Sequence, residues 1–289
     1  MENPLRGIAL VVGSTLLFSL SDGTAKFLTG SLPAVEIAWI RYVIFVGFAL
    51  ALAAGSGPGR FRVRRPGLQV ARGLGLVASS IAFIFALRYL PLADATAIGF
   101  VSPLLTAMLA VPMLGEVVGA RRWVAAITGL VGALVVVRPG TGAFHPAAIL
   151  VLLSALSWAL VGVLTRMMAG VDSSATTLLW SAGIGAVLLS AALPFDFRLP
   201  TRGEFLLLLM LGVVVSTGHY LTVLAYRHAA ASVLAPFSYS QLIWATIFGF
   251  VVFGAIPDAW TFVGAAIIVA SGIYTAQYER TVRRRATQA

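Results

Sequence analysis

The chain is built from long apolar runs of about twenty residues, which short segments rich in Gly, Pro and Arg separate. A helix needs roughly 20 mostly apolar residues to cross the hydrocarbon core of a bilayer. The runs are continuous and do not alternate, which favours membrane helices over the strands of a barrel. Ten runs of this kind are predicted, at residues 6–28, 33–54, 68–88, 91–112, 120–138, 147–167, 174–193, 204–226, 229–253 and 258–278.

The composition excludes most soluble classes. Of the 289 residues, 60% are hydrophobic and only 10% are charged, whereas soluble domains carry about 25% charged residues. Since the chain has no Cys, disulfides, thiol catalysis and thiolate metal sites are excluded. The 3 His are too scattered to form a metal site. We therefore expect an all-α integral membrane protein with no metal and no cofactor.

The distribution of basic residues predicts the orientation in the membrane. A net charge of +10 is compatible with nucleic-acid binding, but the Arg residues cluster between the apolar runs. With the N-terminus in the cytoplasm, fourteen basic residues lie inside and five outside, as the positive-inside rule requires. We therefore expect a multi-pass protein of the bacterial inner membrane, with both termini cytoplasmic, that binds lipid and not nucleic acid.

The two halves of the chain look like copies of one unit. An offset of about 140 residues superposes side chains of the same kind, placing Phe18 on Trp158 and Phe100 on Tyr239. Each half contains five predicted spans, so the second copy must enter the membrane in the reverse orientation. Residues 1–140 and 141–289 are therefore predicted to form two inverted five-helix repeats, an architecture typical of transporters.

Several segments resemble the EamA-type repeat of the drug/metabolite transporter superfamily. The resemblance lies in Pro103, Leu114-Gly115-Glu116, Gly129 and Gly132, in Glu36 and Arg41, and in the partner segment 239–272. It implies a ten-helix carrier of small metabolites, frequently an exporter of amino acids or drugs. Among the branches of the superfamily, the chain most resembles the bacterial aromatic amino acid exporters.

Polar and aromatic side chains inside the spans are candidates for the transport pathway, because polar groups in hydrocarbon are costly unless they face protein or water. The candidate substrate-binding residues are Phe18, Ser79, Phe83, Thr96, Phe100, Ser154, Trp158, His219, Tyr239 and Gln241. The aromatic rings would frame a central cavity, and Ser, Gln and His would bind the amino and carboxylate ends of a substrate. Alternatively, the rings only pack between helices, and His219 is a buried residue hydrogen-bonded to Ser or to a carbonyl.

Charged residues are predicted to gather near the outer mouth. Asp22 and Lys26 are spaced i, i+4, and Glu36 lies close to Arg41 in sequence; the full set is Asp22, Lys26, Glu36, Arg41, Arg88 and Asp94. Pairing would offset the cost of their burial. The set is either a gate that opens during transport or a static structural network.

Prolines occupy nearly equivalent positions in the fourth and ninth spans, at Pro103 and Pro236. Each removes one backbone hydrogen bond. The freed carbonyls could meet a substrate ammonium group, but we expect that the prolines mainly bend the helices.

The preferred function is an exporter of amino acids, including aromatic ones, that works by alternating access. The runner-up is a carrier of another metabolite or a drug; a drug-cation pump is disfavoured because the in-span acids lie near the outer mouth. A membrane-embedded enzyme is disfavoured because the sequence lacks an H-E-x-x-H helix, a diphosphate-binding Asp pair and a Cys nucleophile. A channel is disfavoured because no filter-like loop or ring of charges is apparent.

Overall fold

The computed structural model describes residues 4–54, 63–115, 120–138, 141, 144–168, 171–172, 174–228, 234 and 237–288. These residues form eleven α-helices and one 3-10 turn, and they contain no strand. The helices are α1 (Pro4–Leu28), α2 (Ala34–Ala54), α3 (Pro66–Leu87), α4 (Leu92–Gly99), α5 (Ser102–Leu114), α6 (Ala120–Val137), α7 (Ala147–Met167), α8 (Ser174–Ala192), α9 (Arg202–His228), α10 (Ser240–Phe253) and α11 (Ala259–Gln288). Glu116 and Pro236 lie outside the described residues.

The helices are long and apolar enough for a multi-pass membrane protein. In the described ranges, seven helical segments meet the length and hydropathy needed to cross a bilayer, and three shorter apolar helices accompany them. The all-helical prediction is confirmed for these residues.

The fourth apolar run is not one helix, as the sequence suggested, but two. Helix α4 ends at Gly99 and α5 begins at Ser102, with Phe100 and Val101 between them. Pro103 lies in the first turn of α5, where its missing N–H costs little because that N–H has no helical partner in any case. The break also means that Thr96, Phe100 and Pro103 do not share one helix face.

Contacts at the helix ends define which way each helix runs. The Nζ of Lys26, near the end of α1, donates hydrogen bonds to the carbonyl oxygens of Leu87 and Leu90, at 2.8 and 2.6 Å, where α3 ends and α4 begins. Tyr89 stacks on His145, just before α7, with ring centroids 5.2 Å apart. We call this end of the bundle the Lys26 end. Helix α1 therefore ends where α7 begins, so the two helices that the repeat equates run in opposite directions.

The opposite end of the bundle, which we call the Gln69 end, joins α3 to α7 and α8. The Nε2 of Gln69 donates to Oδ2 of Asp172 at 2.9 Å and to Oγ1 of Thr177 at 3.1 Å. The backbone N–H of Arg64 donates to Oδ1 of Asp172 at 2.9 Å. The hydrogen bonds from Arg64 and then Gln69 lower the pKa of Asp172, because they stabilise its ionised form.

The main helix interfaces join one half of the chain to the other. Helix α1 packs on α9, α3 on α7, α2 on α8 and α6 on α11. If α7 corresponds to α1 and α9 to α3, exchanging the halves turns the α1–α9 interface into the α7–α3 interface. The same exchange maps the α2–α8 interface onto itself, and it maps the α6–α11 interface onto itself. A twofold relation between two copies produces this pattern.

The α6–α11 interface depends on close contact between two glycines. A Cβ on Gly132 would lie 2.9 Å from the carbonyl oxygen of Gly264, and a Cβ on Gly264 would lie 2.6 Å from that of Gly132. Neither position has room for a side chain. The fifth and tenth apolar runs, which contain these glycines, therefore pack closely, as small residues at a helix interface allow.

Candidate functional site

Phe100 and Tyr239 form an aromatic pair where two apolar runs are interrupted. Phe100 lies between α4 and α5, and Tyr239 directly precedes α10. Their ring centroids are 4.9 Å apart, within the usual range for interacting rings. The two residues that the repeat equates are thus brought together in space. Tyr239 is buried, and the hydroxyl end of its ring packs on Gly272 of α11.

His219 of α9 lies between two phenyl rings. Its ring centroid is 4.9 Å from that of Phe18, in α1, and 5.8 Å from that of Phe45, in α2. Gly218 allows this approach, because a Cβ there would lie 2.9 Å from Cε1 of Phe18. Among the residues that the structure describes, the imidazole therefore packs against rings and forms no hydrogen bond with the Ser hydroxyl or the carbonyl that the sequence suggested.

Trp158 is exposed on a face of α7 that is buried over the two turns before it. Val151, Ser154 and Ala155 have exposed fractions of 0%, 6% and 3%, whereas that of Trp158, one turn farther along this face, is 46%. Leu153, which marks the outer side of α7, lies roughly 140° away around the helix from Trp158. An indole on an inward face keeps this exposure only if open space lies beside it.

Two serines that the sequence assigned to the site instead connect helices. The Oγ of Ser154, in α7, donates to the carbonyl oxygen of Ser79, in α3, at 2.8 Å. The two hydroxyl oxygens are 3.0 Å apart, and Ser79 Oγ is also 3.0 Å from the carbonyl oxygen of Ser154. The hydroxyl of Thr96 donates to the carbonyl oxygen of Leu92, in the same helix, at 2.8 Å. Phe83 packs near Gly99, where a Cβ would lie 3.9 Å from its ring.

A polar stripe of α1 contacts the start of α10. Thr15 Oγ1 and Ser240 Oγ are 2.8 Å apart, and Ser19 Oγ donates to the carbonyl oxygen of Gln241 at 3.1 Å. The Nε2 of Gln241 lies 3.4 Å from Oδ2 of Asp22, which is 8% exposed. Gln241 and Asp22 are thus neighbours, although the sequence placed one in the substrate site and the other in the charge network.

The charge pairs predicted from spacing are not formed. Lys26 is bound to backbone carbonyls and lies 5.4 Å from the centroid of Phe253; free carbonyls at the end of α3 attract its ammonium group. Oε2 of Glu36, a fully buried residue, accepts a hydrogen bond from the backbone N–H of Arg198 at 3.1 Å. Glu36 and Arg41 are five residues apart, about 140° around the helix, so they point to different sides.

The remaining members of the charged set are also separated. Arg88 is exposed at the end of α3. Asp94 accepts a hydrogen bond from Oγ1 of Thr261 at 2.9 Å, and the same hydroxyl is 3.0 Å from Oδ1 of Asp258. Asp258 forms an ion pair of 2.5 Å with Arg138, between the end of α6 and the start of α11. Desolvation opposes ionisation of Asp258, but hydrogen bonds from Thr261 and Arg138 outweigh it and lower its pKa.

Sequence reasoning missed one interior cation. Arg72 was only counted among the basic residues on the inside, although the predicted span 68–88 contains it; α3 begins at Pro66 and carries Arg72 roughly 9 Å into the helix. Its Nε donates to Oγ1 of Thr165 at 2.8 Å, and its guanidinium group also bonds Ser181. The proline at the start of α3 was the available signal, because Pro favours the first turn of a helix.

The model of the EamA-like transporter family matches residues 5–138 and 145–276, one match in each half. The chain belongs to this family. The protein is therefore a membrane transporter, and its substrate is a small molecule. The prediction that its apolar helices span a membrane is confirmed.

Relatives of this EamA-like transporter match it over almost its whole length. An S-adenosylmethionine uptake transporter of Rickettsia prowazekii is 28% identical over 281 residues, which cover 97% of this chain and 95% of the relative. A riboflavin transporter of Vibrio cholerae is 29% identical, with 98% and 97% covered. A pseudopaline exporter of Pseudomonas aeruginosa is 26% identical, with 92% and 94% covered. These names agree with a non-enzymatic role, but they do not single out the aromatic amino acid exporters.

A solved crystal structure shares the fold of this EamA-like transporter. It is 23% identical, superposes with a TM-score of 0.66, and the match covers 94% of this chain and 97% of that one.

An apolar groove on this EamA-like transporter lies away from the candidate residues. It has a volume of about 470 Å³ and runs between α3 and α8, lined by Leu74, Trp180 and Val187 among others. Since Leu74 and Val187 are exposed at the surface, the groove faces lipid and not the interior.

Proposed function

We propose that this transporter carries amino acids and related metabolites that bear a planar ring, by alternating access across the bacterial inner membrane. The observation that carries the proposal is Trp158, whose indole is 46% exposed on the inward face of α7. Aromatic walls suit a substrate with a flat apolar part, because offset and edge-on ring contacts add to the burial of area.

The aromatic residues of both halves supply the walls in this proposal. Phe18 and Trp158 face the substrate from equivalent helices, and the Phe100–Tyr239 pair lies where the apolar runs are interrupted. Interrupted helices are where transporters commonly bind their substrates. Ser79 and Ser154 join α3 to α7, and Phe83 packs between α3 and α4. Thr96, His219 and Gln241 border the ring.

The chemistry of the site and the names of two groups of relatives support this substrate class. S-Adenosylmethionine, named for the Rickettsia transporter, is an amino acid joined to a flat purine ring. It therefore shares its two end groups with an aromatic amino acid. Riboflavin, named for the Vibrio transporter, also contains a flat ring system.

The mechanism in this proposal uses ten spans in two inverted repeats, residues 1–140 and 141–289. The opposed directions of α1 and α7 and the exchange-symmetric interfaces support this division. Rocking of one repeat against the other would open the Lys26 end and the Gln69 end in turn. The polar contacts at each end then act as gates.

The direction we propose is export, with both termini in the cytoplasm and the Lys26 end outside. The orientation is supported by the excess of Arg in the segments at the Gln69 end, since basic loops resist translocation. The relatives include both uptake transporters and an exporter, so direction needs its own measurement.

The test is transport by the purified protein in liposomes. Radiolabelled phenylalanine, S-adenosylmethionine and alanine are compared, with Trp158→Ala beside the wild type and Leu153→Ala as the control on the outer side of α7. We expect saturable uptake of the ring-bearing probes, and a KM that rises about 2- to 12-fold in Trp158→Ala but not for alanine. Vesicles of both orientations give the direction. An absence of saturable transport of either ring-bearing probe would refute the proposal.

A further inference from the structure

An acid, Asp22, and a base, Arg41, lie at the same depth inside the bundle and have few other polar neighbours. Asp22 lies six residues before the end of α1, and Arg41 seven residues after the start of α2. Both helix ends belong to the Lys26 end, so each side chain is attached roughly 10 Å inside it. Arg41 is the basic side chain whose charge acts on Asp22.

Among the described residues, neither the carboxylate of Asp22 nor the guanidinium group of Arg41 forms an ion pair. Asp22 is 8% exposed, and its one side-chain hydrogen bond among the described residues is the 3.4 Å contact with the amide of Gln241. Lys26, which could have neutralised it, is bound to carbonyls instead. In the described part of the chain, the guanidinium group of Arg41 has no hydrogen bond or ion pair. Unpaired charges inside a membrane are rare and generally face a cavity.

The direction in which Arg41 points is fixed by its helix. Val43 and Leu50 are 42% and 45% exposed and mark the lipid-facing side of α2. Arg41 lies roughly 160° around the helix from Val43, on the opposite side. Because Arg41 is only half-buried there, the inward side of α2 also borders open space.

An aromatic ring follows each charge one turn deeper in the bundle. Phe18 precedes Asp22 by four residues on α1, and Phe45 follows Arg41 by four residues on α2. Since α1 runs toward the Lys26 end and α2 away from it, both rings lie about 6 Å deeper than the charges. Both contact His219, at 4.9 and 5.8 Å. An acid and a base therefore lie one turn above two phenyl rings that both contact His219.

We infer that Asp22 and Arg41 anchor the head group of a zwitterionic substrate. The carboxylate of Asp22, oriented by Gln241, binds the substrate ammonium group, and the guanidinium group of Arg41 binds the substrate carboxylate. The side chain of the substrate then extends toward Phe18, Phe45 and His219. This inference rests on the proposed function and assigns to the substrate two residues that would otherwise be part of a gate.

The test measures which end of the substrate each residue recognises. The full-length protein in liposomes transports radiolabelled phenylalanine, or S-adenosylmethionine if that is the better substrate, in competition with phenethylamine and with 3-phenylpropionate. The first competitor lacks the carboxylate and the second lacks the ammonium group. Variants are Asp22→Asn, Arg41→Gln, Arg41→Lys and the double variant, with exposed Asp196→Asn and Arg202→Gln as matched charge controls.

The expected result is a split between the two ends. Asp22→Asn raises the KM of the zwitterion about ten- to a hundredfold and weakens competition by phenethylamine but not by 3-phenylpropionate. Arg41→Gln weakens competition by 3-phenylpropionate but not by phenethylamine, Arg41→Lys restores part of the affinity, and both controls transport as the wild type does.

Three outcomes would overturn the inference. Equal loss of both competitors in each single variant would indicate a structural role. Recovery of zwitterion transport in the double variant would indicate an ion pair, because joint neutralisation leaves no unpaired charge. Wild-type selectivity in variants that transport normally would exclude contact with the substrate. If the wild type transports neither probe, the proposed function fails and the anchor fails with it. Thermal unfolding in detergent identifies any variant that does not fold.

Discussion

Replacing Gly272 with Ala should impair transport of ring-bearing substrates without unfolding the protein. A Cβ at this position would overlap Oη of Tyr239 and lie 2.5 Å from its Cζ, whereas ordinary contact begins at 3.4 Å. The hydroxyl end of the Tyr239 ring must therefore retreat by more than ~1 Å. It can do so because it is the far end of a side chain and not backbone.

The retreat carries the ring away from α11 and changes its contact with Phe100, whose centroid is now 4.9 Å away. Aromatic contacts are worth about 0.5–1.5 kcal/mol, so we expect KM for phenylalanine to rise about 2- to 12-fold. Alanine, which has no ring, should be transported with an unchanged KM. Unfolding should change little, because Ala favours a helix over Gly by ~1 kcal/mol and offsets part of the steric cost.

The assay is uptake of both amino acids into liposomes, together with the midpoint of thermal unfolding. Gly47→Ala is the matched control, since a Cβ there has nothing within 4 Å. An unchanged ratio of the two KM values in Gly272→Ala would show that the Tyr239 ring does not border the substrate. A lowered unfolding midpoint in Gly272→Ala but not in Gly47→Ala would instead show that the tyrosine is structural.

Three further predictions concern other parts of the molecule. His219→Phe should keep transport and its pH profile, because the imidazole packs between rings; a shifted profile would reveal a titrating role. Asp258→Asn should lower stability at neutral pH by under ~1 kcal/mol, since its ion pair is partly exposed. Although desolvation opposes ionisation, hydrogen bonds from Thr261 and Arg138 lower the pKa of Asp258 from its usual value. This stabilisation is therefore lost only as the pH falls through that lowered pKa, below which variant and wild type should unfold alike. Finally, because the chain has no Cys, an impermeant maleimide should label Asp196→Cys from outside intact cells, and Arg64→Cys only after permeabilisation; the reverse pattern contradicts the proposed orientation.

Features set by periodicity and length could be predicted from the sequence. Apolar runs gave the helices, and the offset between the halves paired Phe100 with Tyr239, which lie 4.9 Å apart. These features depend on backbone placement, which apolar patterning largely determines.

Side-chain partners could not be predicted in the same way. Spacing suggested that Lys26 pairs with Asp22, but a long flexible side chain reached carbonyls that only the folded bundle places at the end of α3. The partner of Glu36 is a backbone N–H more than 160 residues away, at Arg198. Likewise, the contacts of His219 with Phe18 and Phe45 require three helices to be assembled first. Sequence distance carries no information about such contacts.

Because the main interfaces join the two halves, synthesis imposes an order on assembly. The first half enters the bilayer while Thr165 and Ser181, which bind Arg72, and Gln241, which contacts Asp22, are still to be made. Until then, these charges sit in lipid without their final partners, so the nascent half depends on water, lipid head groups or the insertion machinery. Stable tertiary structure is thus postponed until the last helices arrive, and a truncated chain is a natural target for membrane quality control.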